Sequence, residues 1–163
     1  MNTKTRKFLI ATHGALASGF QSSLELIAGA GDSVHIIQAY LDESKPVNEE
    51  LANLFGPAGT DKGGTGTDEE GAGTNKELGG TDEEWVVFSD LLGGSITNQL
   101  VQAAAGTNVH IIAGFNLPLL LEVILSDPKE PIAGVLEGAI DRAREQLVYV
   151  NKLINLKNDG ENA

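Results

Sequence analysis

Phe8-Leu9-Ile10-Ala11-Thr12-His13-Gly14 decides the fold of this chain. An apolar run flanked by the basic pair Arg6-Lys7 has the length and composition of a strand buried on both faces, as in a parallel sheet. It breaks off in a turn of small and polar residues that carries a histidine. Leu16, Phe20, Ser23-Leu24 and Ile27 then recur at roughly helical spacing, so a strand, a turn and a helix follow one another. In an open α/β sheet, ligands and chemistry gather just outside the carboxyl ends of the strands. His13 stands at such an end and is the first candidate for a reactive residue.

The rest of the chain repeats this unit. The first helix is expected from about Ala15 to Ala28, stopped by the glycine-rich Gly29-Ala30-Gly31. Val34-His35-Ile36-Ile37-Gln38 reads as a second strand. A helix from Pro46 to Phe55, opened by Ser44 or Pro46, carries Val47, Leu51, Leu54 and Phe55 on one side. Trp85-Val86-Val87-Phe88 is a third strand, followed by a helix from about Ser95 to Ala105 with Gly94 or Ser95 as its cap. Val109 to Ala113 is a fourth strand, and Asn116-Leu117-Pro118 opens a helix that ends at Ser126-Asp127-Pro128. A last helix is expected from Pro131 to Gln146. Leu147 to Ile154 reads as a terminal strand, before a polar tail from Asn155. Strands alternating with helices imply an α/β fold with an open, mainly parallel sheet and helices on both faces. The repeated Val-His-Ile-Ile at 34–37 and 109–112 fits two similar parallel strands and is too short to mark a duplication.

One segment departs from this pattern. Between Gly56 and Thr81 lie nine of the twenty glycines, mixed with Thr, Asp and Glu and almost no large apolar side chain. Such a stretch has little to bury against the entropy of ordering it, so it is expected to be a mobile surface insertion. Gly63-Gly64-Thr65-Gly66-Thr67 does not make it a nucleotide cradle: no strand precedes it, the GxxxxGK[ST] pattern is absent and its charge is acidic.

Composition narrows the function. The 163 residues fit a single domain (1–163) with a real core. The absence of cysteine removes disulfide and thiolate chemistry and fits a reducing compartment. A formal charge of −12 argues against a nucleic-acid backbone or an anionic membrane as partner, while leaving room for a basic protein. The basic start followed by Phe8-Leu9-Ile10-Ala11 superficially resembles a signal peptide. The apolar run is too short for one, and His13-Gly14 interrupts it. No stretch approaches the roughly 20 apolar residues of a membrane span. The expected location is the cytoplasm.

If the sheet is parallel, the turns after its strands lie on one edge. Thr12-His13-Gly14 follows the first strand, Ser89-Asp90 to Ser95 the third, and Gly114-Phe115-Asn116 the fourth. Where the first and third strands are neighbours, a histidine, a carboxylate and a glycine-rich helix start converge. Imidazole is a nucleophile near neutral pH. A carboxylate on one ring nitrogen fixes the tautomer, leaves the other lone pair facing outward and stabilises the cation formed on attack. The N–H groups of Gly93, Gly94 and Ser95 suit an anion, phosphate above all. His35 and His110, near the opposite ends of their strands, read as structural or surface residues. The pattern calls for no cofactor and no metal.

Three motifs, in this order, resemble a known family: Phe8 to Gly14, Phe88-Ser89-Asp90-Leu91-Leu92-Gly93-Gly94-Ser95-Ile96-Thr97-Asn98, and Ile112-Ala113-Gly114-Phe115-Asn116-Leu117-Pro118. They look like the IIA components of the mannose–fructose–sorbose class of the bacterial sugar phosphotransferase system. The resemblance spans about residues 6–154 apart from the glycine-rich insertion. It implies a flavodoxin-like phosphocarrier in which His13 takes a phosphoryl group from the phosphohistidine of HPr and passes it to a IIB component. It further implies that Asp90 hydrogen-bonds His13 and that Ser95 and nearby N–H groups hold the phosphate. The membrane is reached only indirectly, through the IIC/IID permease. The resemblance also implies a homodimer in which the C-terminal strand, here Leu147 to Ile154, pairs antiparallel on the partner's sheet. The chain departs from the family in its insertion and in Leu91-Leu92, where some members place polar or aromatic residues.

Two other functions fit part of the pattern. A IIA-like subunit could phosphorylate a dihydroxyacetone kinase, although Thr12-His13-Gly14 favours the sugar branch. A non-catalytic flavodoxin-like module could bind a nucleotide or metabolite at the same edge, with His13 dispensable; the lack of a GxGxxG fingerprint disfavours it.

Overall fold

A computed structural model of the chain describes residues 5–42, 44–55 and 83–154. The expected insertion at 56–81 and the tail from Asn155 lie outside the described residues. The elements run β1 (Thr5–His13), α1 (Leu16–Ala28), a short 3-10 turn (Gly31–Ser33), β2 (Val34–Ala39), α2 (Val47–Phe55), β3 (Glu83–Ser89), α3 (Ser95–Ala103), β4 (Val109–Ala113), α4 (Leu117–Ile124) and α5 (Ile132–Glu145). The four strands form one parallel sheet in the order β2-β1-β3-β4. The order reverses direction at β1, so the gap between the ends of β1 and β3 is the topological switch point of a flavodoxin-like sheet.

The apolar runs follow from burial. Leu9, Ile10, Val86, Val87 and Phe88 are fully buried, because β1 and β3 are central and covered on both faces. Phe8, Ile10, Val34, Val86, Phe88 and Ile112 face a core closed by α1, α4 and α5. Leu9, Ala11, Ile37, Trp85 and Val87 face a second core closed by α2 and α3. Alternate residues of each strand thus feed opposite cores, and a one-residue slip would exchange them. Each large side chain so buried contributes about 1.5–3 kcal/mol of transfer free energy.

Local signals place the ends of the elements. Gly29, at φ 62°, ends α1 in the left-handed conformation, its N–H bonding the Glu25 carbonyl while that of Ala30 bonds Leu24. Asn116 caps α4: its side-chain oxygen accepts from the Leu119 N–H at 3.1 Å, and its amide donates to Ala143 on α5 at 3.0 Å. Of the two caps considered for α3, Gly94 is the one found. β1 begins three residues before Phe8, and the reason is electrostatic. Arg6 pairs with Glu84 at 3.0 Å and also reaches Ser126 and the Glu130 carbonyl, while Lys7 pairs with Glu83 at 2.6 Å. The basic flank of β1 is therefore matched to an acidic flank on β3.

One expected element is corrected. Leu147 to Ile154 is not a strand: 147–149 have no regular structure and 150–154 form a short helical turn. The segment pairs with no strand among the described residues, and a helical turn satisfies its backbone within itself. Its apolar side chains face solvent, with Leu147 89% and Tyr149 67% exposed. No helix among the described residues is long and apolar enough to cross a membrane.

Candidate functional site

The site is built where the switch point leaves a gap. Pairing of Ala11 with Ser89 and of His13 with Ala39 sets the ends of β3, β1 and β2 side by side. His13 is the last residue of β1, and Asp90 follows β3 directly. The Asp90 carboxylate accepts the His13 backbone N–H at 2.9 Å and lies 3.0 and 3.1 Å from ring Nδ1. An ionised carboxylate only accepts, so the proton of the neutral ring belongs on Nδ1 and the lone pair on Nε2. Burial pushes the Asp90 carboxyl up. The His13 backbone N–H, the ring hydrogen bond and the ring's charge when protonated outweigh it and hold the carboxyl below its ordinary value. The imidazole side chain itself is 39% exposed, so a large partner can reach it.

Buried hydroxyls hold this arrangement from below. Thr12, fully buried, accepts the Ala17 N–H at 2.8 Å and so ties the first turn of α1 to the end of β1. Thr97 donates to the Leu91 carbonyl at 2.6 Å, which leaves Ser89 as the donor in the 2.6 Å bond between the two hydroxyls. That chain pins the loop carrying Asp90 to α3. The glycines of the loop serve different needs. Gly93 has φ 75°, where a side chain is strained. At Gly94 a Cβ would lie 3.1 Å from the Leu91 carbonyl and 3.4 Å from Cε1 of His13. Glycine there lets the start of α3 approach the imidazole.

Every residue proposed from the sequence falls at this edge: His13, Asp90, Gly93, Gly94 and Ser95. His35 is exposed on β2 and packs against Trp85, 5.3 Å between ring centroids. His110 lies 4.0 Å from Glu84 and pairs with Val86, midway along β3 and short of the end that carries the site. Leu91 and Leu92 are 58% and 81% exposed beside the site, an apolar rim. No cluster of three or more acidic or histidine side chains suited to a metal ion occurs among the described residues.

One site residue escapes the sequence. Tyr40, next after β2, stacks obliquely on His13 at 5.7 Å between ring centroids, and its hydroxyl lies 2.7 Å from that of Ser95. Its φ of 66° makes it the only non-glycine in the left-handed region among the described residues. That conformation costs about 1–2 kcal/mol. A local signal would have been Asn or Gly at this position, and neither is present.

A comparison with curated proteins found no match. Among solved structures, a Klebsiella pneumoniae subsp. pneumoniae MGH 78578 protein assigned as a phosphoenolpyruvate-dependent sugar phosphotransferase system (PTS) permease is 24% identical. The match covers 94% of this chain and 97% of that one, with a TM-score of 0.73. The PTS IIA protein associated with the fucose utilization operon of Streptococcus pneumoniae is 25% identical, covering 94% and 99% with a TM-score of 0.66. The mannose/sorbose-specific IIA subunit from Enterococcus faecalis is 19% identical, covering 89% and 94% with a TM-score of 0.65. At such identity the Klebsiella and Enterococcus likenesses bear on the fold alone. The family model described as PTS system fructose IIA component matches residues 45–140, which include Asp90 and Gly93 to Ser95 but not β1. His13 thus lies outside the matched segment, although its ring is held by a carboxylate within it. Since the match takes in more than half of the chain, this protein belongs to the PTS fructose IIA family of the sugar phosphotransferase system.

Proposed function

We propose that this chain is a phosphocarrier that accepts a phosphoryl group from phospho-HPr on Nε2 of His13 and delivers it to a IIB component. The observation that carries the reading is the paired bond from Asp90 to the backbone and Nδ1 of His13. It orients the ring and leaves Nε2 as the nucleophile. In the transfer, the Nε2 lone pair forms a bond to phosphorus as the donor's P–N bond breaks, and the electron pair of that bond returns to the donor imidazole. The Nδ1 proton stays on His13, where Asp90 offsets the positive charge that develops on the ring. Ser95 and the N–H groups at the start of α3, an eligible anion site by its dipole, hold the phosphoryl oxygens. The loose transition state of phosphoryl transfer asks for positioning and charge stabilisation of this kind. In the delivery to IIB, an acceptor lone pair of that component bonds phosphorus as the P–N bond to Nε2 breaks, and its electron pair returns to the His13 ring.

The same reading makes the protein a single cytoplasmic domain, in touch with the membrane only through the IIC/IID permease. It also makes it a homodimer. The exposed apolar side chains of Leu147, Tyr149, Val150 and Ile154 support the dimer. So does the open edge of β4, beside a groove lined by Ile112, Phe115, Leu119, Ile140 and Leu147. In the dimer the segment leaves its helical turn and pairs as a strand on the partner's sheet.

The test is phosphorylation by phosphoenolpyruvate, Enzyme I and HPr, read by intact mass. The wild type should gain one acid-labile phosphate. His35→Ala and His110→Ala should gain it too, and His13→Ala should not. A phosphate retained by the His13 variant would overturn the mechanism.

A further inference from the structure

We propose that Tyr40 is a phosphoryl-contacting residue: its hydroxyl, paired with that of Ser95, forms a two-donor clasp for the group carried on His13. The proposal rests on the reading of His13 as the phosphoryl acceptor. Three observations carry it. Tyr40 is the only non-glycine with a left-handed backbone among the described residues, and that backbone directs its ring across the end of the sheet onto the imidazole. A strained residue persists only where its surroundings over-determine it, and such residues cluster at working sites. Here the phenol bonds Ser95, the first residue of α3, at 2.7 Å. Tyr40 therefore spans from the end of β2 to the helix start beside the imidazole, over the ring that would be modified.

The bond itself is informative. Tyr40 is 58% exposed, so water could satisfy its hydroxyl and no burial forces it onto Ser95. In the resting site one hydroxyl donates to the other. Once phosphorus is bonded to Nε2, a dianionic group lies between helix start and phenol, and both hydroxyls can turn to donate to its oxygens. A charged acceptor gives the stronger bond, so the exchange favours the phosphorylated state. The pair stores two donors in place, with no reorganisation of the backbone at the moment of transfer. The ring covers one side of the imidazole and limits attack by water on the phosphohistidine.

The experiment compares the intact chain with Tyr40→Phe, Ser95→Ala and the double variant, using phospho-HPr as donor. Circular dichroism checks that each is folded. Two quantities are read: the rate of phosphate gain on His13 and the lifetime of the phosphohistidine after the donor is removed. Phenylalanine keeps the ring and the backbone but loses the hydroxyl, so phosphate gain should slow about tenfold. The lifetime should change little, because the ring remains. Tyr40→Phe should also slow the Ser95→Ala background by a similar factor. No slowing by Tyr40→Phe in either background would overturn the proposal. Slowing only when Ser95 is present would also overturn it, since Tyr40 would then act through Ser95 alone. A wild type that takes no phosphate would overturn the His13 reading and this one with it. A phosphorylated wild type matched by Tyr40→Phe overturns this one only.

Discussion

Replacing Asp90 by asparagine keeps the shape of the side chain and removes its charge, so it probes the pair on which the mechanism stands. In the wild type the carboxylate accepts the His13 backbone N–H at 2.9 Å and the ring Nδ1 at 3.0 Å. Oδ2 accepts from both donors and Oδ1 lies 3.1 Å from Nδ1, so an amide must put its NH2 group at one of these two places. If the amide oxygen stays on the backbone N–H, the NH2 group faces Nδ1 and can only donate to it. There the NH2 competes with the oxygen, still 3.0 Å from Nδ1, and favours the tautomer with the proton on Nε2, in which the attacking lone pair is lost. If the oxygen turns to Nδ1 instead, donor faces donor at the backbone and an N–H is left unpaired, which costs about 1–3 kcal/mol. The cation formed on attack also exchanges a charged partner for a neutral one, a loss of about 1–1.5 kcal/mol. Because the ring is 39% exposed, solvent screens part of that charge, and the sum belongs near its lower end, about 2 kcal/mol. At 1.36 kcal/mol per tenfold, Asp90→Asn should accept phosphate about 30 times more slowly. Single-turnover phosphorylation followed by intact mass measures this, with circular dichroism as the check on the fold. A folded Asp90→Asn within twofold of the wild-type rate would refute the assignment of Asp90.

The same variant has a signature in pH. The folded carboxyl lies below its ordinary value of 3.8. A lowered pKa means that the unfolded state binds the proton more tightly, so the contribution to stability is present above about pH 4. It is lost as pH falls through the folded value. The single tryptophan, Trp85, is buried and reports unfolding by fluorescence. In acid, the stability of the wild type should fall more steeply than that of Asp90→Asn, and parallel curves would mean that the pair contributes nothing to folding.

Three further outcomes follow from named contacts. Thr12→Val leaves the Ala17 N–H without its acceptor and should cost about 1–2 kcal/mol, seen as a melting temperature lower by about 2–8 °C. Gly94→Ala puts a methyl group against the Leu91 carbonyl and the His13 ring. It should slow phosphate gain more than it lowers the melting temperature; a variant equal to wild type in both would show that the approach has slack. If the exposed apolar segment is covered by a second copy, light scattering of the intact chain should give a dimer at tens of micromolar, and truncation before Leu147 should abolish it. A monomeric intact chain would sink the exchange.

Much of this was legible before folding because it is local. The continuous apolar runs at 8–11 and 85–88 announce strands buried on both faces, and Gly29 and Asn116-Leu117-Pro118 mark helix ends through backbone conformation and capping alone. His13, Asp90 and the Gly93-Gly94-Ser95 start of α3 could be named from their places at strand ends, since a parallel sheet gathers those ends on one edge. Whether they meet was not local. It required β3 to pair with β1 rather than with β2, a choice made by the whole sheet, and only that choice brings Asp90 within hydrogen-bond reach of His13. The ion pairs of Arg6 and Lys7 with Glu84 and Glu83 depend on the same register. Tyr40 lay beyond reach because nothing in its neighbours favours a left-handed tyrosine; contacts with His13 and Ser95, far away in the chain, accompany that conformation. At 147–154 the composition asks for a strand, and the isolated chain gives a helical turn. A strand is completed by the hydrogen bonds of a neighbour, whereas a helical turn satisfies its own backbone. Composition therefore favours a strand here, and the fold of the chain, which leaves 147–154 unpaired, decides for the helical turn.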